Sequence, residues 1–85
     1  MGMSDLETYI QAMRKDVEGD VCSRSRVMDA LLDLRIEAGS RSDVTTLVDD
    51  ALADLPGKTM VPADWYRERL DILELAAVNP VEPVA

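Results

Sequence analysis

Apolar residues recur along this chain at helical intervals four times, and each recurrence runs into a glycine, a Pro-Gly pair or an Asn-Pro pair. The first stripe is Leu6, Tyr9, Ile10, Met13 and Val17, on one narrow face of a helix. Ser4-Asp5-Leu6-Glu7 stands at its start with capping-box spacing: Ser4 can accept from an orphan helical N–H, and Glu7 can reach back to Ser4. A helix is predicted over residues 5–18, with Gly19 as its stop. The second stripe is Val27, Met28, Leu31, Leu32, Leu34, Ile36 and Ala38, which spreads over more than half of the helix circumference. A surface helix needs an apolar arc of only about 100°. The helix predicted over 24–38 is therefore expected at the centre of the fold, packed on more than one neighbour. Ser23 or Ser25 can cap it and Gly39 can end it.

Val44, Leu47, Val48, Ala51, Leu52 and Leu55 form a cleaner stripe and predict a third helix over 43–55. Ser40 with Asp43, or Ser42 alone, suits its start, and Pro56-Gly57 terminates it. Residues 56–61 read as a turn or short loop. Pro62 suits the first position of a fourth helix, Asp64 suits the positive end of its dipole, and Asn79-Pro80 closes it, giving 62–78. Residues 80–85 read as an extended Pro/Val tail on a single domain spanning 4–79. Runs of β-branched and aromatic residues are too few to suggest a sheet. Short connections make successive helices neighbours. The expected fold is all-α, a compact bundle of four helices.

Composition narrows the chemistry. A chain of 85 residues buries only about 60% of its extended surface, so a partner or a second copy would extend a thin core. Seventeen acidic residues against nine basic ones give a net charge of −8. That balance repels nucleic-acid phosphates and anionic membrane surfaces and favours basic partners. Histidine is absent, which removes the side chain that titrates near neutral pH. The single cysteine, Cys22, makes no internal disulfide and, without histidine, no Cys/His zinc site or Cys-His nucleophile. The four glycines are scattered, three of them at expected helix ends, and form no phosphate loop. No enzyme activity, cofactor or metal is expected. No apolar run approaches the about 20 residues of a membrane span, and no secretory leader is expected from the start of the chain. From the lone cysteine, a reducing, cytoplasmic setting is expected.

Four constellations remain. Asp29, Asp33 and Glu37 make a ladder of like charge at i, i+4 and i+8 on the second helix, and Asp50 and Asp54 repeat the spacing on the third. These read either as solvated faces or as a docking strip for basic residues of a partner. Helices two and three, with Gly39-Ser40-Arg41-Ser42 between them, have the outline of a helix-turn-helix, and Arg24, Arg26, Arg35 and Arg41 make that segment slightly basic. The second helix of the pair carries Asp43, Asp49, Asp50 and Asp54 and no base, which opposes a place in the major groove. The fourth helix gathers Trp65, Tyr66, Arg67 and Arg69, residue types enriched at interface hot spots. There Arg69 falls inside an apolar arc of Trp65, Ile72, Leu73 and Ala76 and is expected to stack on Trp65, while Leu75 and Val78 point to the charged side. Arg35 falls in the middle of the second helix's apolar arc, so it must snorkel, pair with a carboxylate or face another subunit.

The function expected is a small acidic interaction module, a regulator, adaptor or inhibitor that binds another protein or itself. Its candidate contact residues are Trp65, Tyr66, Arg67, Arg69, Leu75, Val78 and Arg35, with Asp29, Asp33 and Glu37. The alternative is a nucleic-acid-associated regulator, either a weak helix-turn-helix DNA binder or an acidic DNA mimic; direct nucleic-acid binding is the less favoured of the two classes.

Overall fold

Each of the four apolar stripes forms a helix in a computed structural model of the chain, which describes residues 5–78. The helices are α1 (Asp5–Lys15), α2 (Arg24–Ala38), α3 (Ser42–Ala53) and α4 (Ala63–Val78). Two short strands, β1 (Val21–Ser23) and β2 (Met60–Pro62), precede α2 and α4. Packing runs α1 on α2, α2 on α3 and α3 on α4, and α4 returns to α1, so the four helices close into a bundle. The Ser4 cap, the Asn79-Pro80 stop and the 80–85 tail lie outside the described residues. Among the described residues no helix is long and apolar enough to cross a membrane.

The core is Ile10 from α1, Val27, Leu31 and Leu34 from α2, Val44 and Val48 from α3, Leu70 and Leu73 from α4, and Val61 from β2. On α2 the buried set is Val27, Leu31, Leu34 and Ala38, a single stripe. Leu32 and Ile36 fall outside it and stand 43% and 77% exposed. The broad arc is thus not all core. α2 packs on α1, α3 and β1, and its fourth side faces solvent.

Three local details depart from the expected pattern. First, α1 stops at Lys15 rather than Glu18. Asp16 and Val17 make tight turn bonds to the Met13 and Arg14 carbonyls, at 3.2 and 3.1 Å. Extending the helix would place Asp16 and Glu18 at the negative end of its dipole. Second, a two-stranded antiparallel sheet is present, with Val21 opposite Pro62, Cys22 opposite Val61 and Ser23 opposite Met60. Arg24 N–H to the Thr59 carbonyl (2.9 Å) and Ala63 N–H to the Asp20 carbonyl (2.8 Å) close its ends. The segments before α2 and α4 so satisfy each other's backbone groups. Pro62 consequently ends β2 instead of opening the helix, and three residues are too few for a strand alternation to show in sequence. Third, neither Ser40 nor Ser42 caps α3. Arg41 holds the cap position without a side-chain cap bond.

Arg41 has a different task. It grips both oxygens of Asp43 (Nε–Oδ1 3.0 Å, Nη2–Oδ2 2.9 Å) and donates from Nη2 to the Ala76 carbonyl at 3.0 Å. That carbonyl belongs to the last turn of α4, where helix acceptors lack internal partners. One guanidinium thus joins the start of α3 to the end of α4. Its hydrogen bonds hold the Asp43 carboxyl at about 2, below the ordinary 3.8. A lowered folded-state value stabilises the protein above the ordinary carboxylate range, and the benefit fades as pH falls through it. Wild type should therefore exceed Asp43→Asn in urea midpoint at neutral pH, with the gap closing between about pH 4 and pH 2. A gap that stays constant over that interval would contradict the pairing.

Candidate interaction surfaces

The α4 constellation is assembled mainly for the protein's own packing. Its buried residues are Ala63, Tyr66, Leu70, Leu73 and Ala77, so the core face centres on Leu70. The arc expected from Trp65, Ile72, Leu73 and Ala76 is rotated from this, and Ile72 is 38% exposed. Tyr66 is only 4% exposed, which takes it off the surface and into the core cluster. Trp65 is half-buried against that cluster. Arg69 stacks on it as expected, its guanidinium carbon 5.3 Å from the ring centroid. The same guanidinium donates from Nη2 to Asp54, the residue that caps the end of α3, at 2.8 Å, and among the described residues its Nε is buried without an acceptor. With one face on an indole and one edge on a carboxylate, Arg69 serves as a clamp between α4 and α3. Arg67 lies between Asp64 and the Gly19 carbonyl, each 3.4 Å away.

Leu75 and Val78 are exposed, 65% and 47%, as expected for their position off the stripe. They border a shallow depression with Arg14, Asp71 and Glu74. Arg14 pairs with both of those carboxylates, and Gln11 donates to Glu74 at 2.9 Å, so this edge of α4 is tied to α1.

Arg35 pairs with a carboxylate: its Nε donates to Asp49 Oδ1 at 2.8 Å, with Nη2 3.5 Å from Oδ2. Both side chains are about half exposed, so solvent screens the pair and it adds little to stability. Asp49 is what lets an arginine stand at the edge of the α2 arc.

Asp29, Asp33 and Glu37 are all exposed along α2, and none of them is in an ion pair among the described residues. Asp29 and Asp33 line a groove between α1 and α2 with Tyr9, Met13 and Asp16. Burial, then Asp33 and more weakly Glu37, raise the Tyr9 pKa above its ordinary value, so the phenol feels the negative charge of the row. Leu32 and Ile36 lie on the same outer side of α2 as Asp29. Their exposure was hidden in the sequence because all seven apolar residues of α2 fit one broad arc. With the buried stripe known, Ile36 falls roughly opposite its centre.

Cys22 is a half-buried free thiol in β1, not at a helix N-terminus. Among the described residues no three His, Cys, Asp or Glu side chains are grouped to hold a metal ion. The fold and these surfaces define a four-helix acidic domain. No protein-family model matches the chain, and no curated protein or solved structure matches it.

Proposed function

We propose that the chain is a non-enzymatic interaction module that docks a basic segment of another protein on the outer face of α2. One observation carries this. Internal ion pairs occupy Arg14, Arg35, Arg41, Arg67 and Arg69, yet among the described residues none is made to the Asp29–Asp33–Glu37 row. Beside that row stand Leu32 and Ile36, two exposed apolar side chains one turn apart. An apolar pair flanked by unpaired carboxylates suits a partner helix carrying leucines on one stripe and lysines or arginines beside it. Pairing α2 with the α2 of a second copy would bring like charges together, which favours a different protein as partner. The free thiol of Cys22 fits a reducing, cytoplasmic setting.

The arginines a DNA contact would need are largely committed. Arg24 donates to the Pro56 carbonyl at 2.9 Å, Arg35 pairs with Asp49 and Arg41 holds Asp43, so among the described residues Arg26 is the one left in that segment. Fluorescence anisotropy at low salt separates the two classes. A labelled amphipathic Leu/Lys helix peptide should bind saturably and weaken as salt rises, while a labelled DNA duplex should not bind. Saturable duplex binding with no peptide binding would overturn the proposal.

A further inference from the structure

The α1/α2 groove does not end at Asp29. It shares Asp16, Arg26 and Ala30 with a second, deeper cleft between the end of α1, the start of α2 and the two strands. The cleft has a volume of about 290 Å³. That lies at the lower end of the about 300–1,000 Å³ of small-ligand pockets and is ample for one long side chain. Its walls include Val27 and Met60, and its rim carries Asp16 and Glu18, neither in an ion pair among the described residues.

Tyr66 supplies a second, independent sign of a ligand. It is 4% exposed and lines the cleft, and its hydroxyl has no hydrogen-bond partner among the described residues. The ring is buried while the hydroxyl opens on the cleft, free to meet a group that enters it. Burial, followed by Cys22 and Asp16, pushes its pKa up, so it stays neutral and able to accept or donate.

From these features we infer that the cleft is a slot for one lysine or arginine side chain of the docked partner. This rests on the proposed basic partner of α2 and places one of its residues. The methylene stem lies against Val27 and Met60, the cationic head meets Asp16 and Glu18, and one N–H donates to the Tyr66 oxygen. Long basic side chains are suited to such a site because their stems are apolar and only their tips are charged. Arg26 also lines the cleft and opposes an entering cation, so the two carboxylates have to outweigh it.

Cys22 lies in this cleft and is the chain's one cysteine, so thiol chemistry reports on the slot alone. Two measurements decide the matter. The first compares the rates at which a cationic and an anionic methanethiosulfonate of matched size modify Cys22. The cationic reagent should react about five times faster at low salt, and the ratio should collapse in Asp16→Asn/Glu18→Gln. Both replaced residues are exposed, so the fold is kept. The second asks whether the Leu/Arg form of the helix peptide protects Cys22 from the neutral reagent N-ethylmaleimide. Protection by this peptide, lost with a citrulline-for-arginine peptide and reduced in Tyr66→Phe, is the expected result. A rate ratio near one, or unchanged in the double variant, would overturn the slot. If the peptide binds in anisotropy but leaves Cys22 unprotected, the slot fails and docking on α2 stands. If the peptide does not bind at all, both fail.

Discussion

Leu31→Ala is expected to destabilise the protein by about 2–5 kcal/mol, and Ile36→Ala, on the same helix, by less than about 0.5 kcal/mol. The two residues belong to one apolar set in sequence, but Leu31 is fully buried and Ile36 is 77% exposed. Truncating Leu31 leaves a cavity where α2 meets the bundle, and the surrounding helices can only partly close it. Truncating Ile36 removes a solvent-facing side chain and substitutes the best helix former, so even a slight gain is consistent. A domain of this size has about 5–10 kcal/mol in hand. Leu31→Ala should therefore lower the melting temperature by about 10–30 °C, while Ile36→Ala leaves it within a few degrees. Thermal unfolding followed by circular dichroism measures both. Similar losses for the two variants would mean that the phase of α2 is wrong.

The second large effect is on binding. Neutralising the α2 row in Asp29→Asn/Asp33→Asn/Glu37→Gln removes three exposed carboxylates from the docking face. At about 0.2–1 kcal/mol for each exposed pair formed with a partner, the affinity for a basic helix should fall roughly three- to 150-fold. Stability should move the other way or not at all. The row sets like charges one turn apart, each contact costing about 0.2–0.5 kcal/mol in a helix, and removing it relieves that repulsion. Denaturant midpoints at or above wild type, together with weakened binding, separate a functional carboxylate row from a structural one.

The helices were legible because a stripe at i, i+3 and i+4 and a stop residue are local properties. α2 was predicted over 24–38 and occupies Arg24–Ala38. The stacking of Arg69 on Trp65 was legible for the same reason, since one helical turn brings them together. What lay hidden depends on residues far apart in the chain. Asp54 for Arg69, Asp49 for Arg35 and the Ala76 carbonyl for Arg41 are partners that only tertiary packing supplies. Tyr66 resembled a surface hot-spot residue beside Trp65, but the core centres on Leu70 and takes the tyrosine inside. Leu32 and Ile36 were absorbed into the core arc because an arc wider than its neighbours can cover does not reveal which part stays bare. The β1–β2 pair left no alternation to read, and with it the cleft at Cys22 was invisible.

The proposed docking on α2 is tested most directly by titrating the labelled Leu/Lys helix peptide into three proteins side by side. These are wild type, Asp29→Asn/Asp33→Asn/Glu37→Gln, and Leu75→Ser/Val78→Ser, which alters the exposed apolar pair of α4 and none of the α2 row. Loss of affinity in the α2 variant with wild-type affinity in the α4 variant is the predicted result; the reverse pattern, or equal binding by all three, would contradict docking on α2.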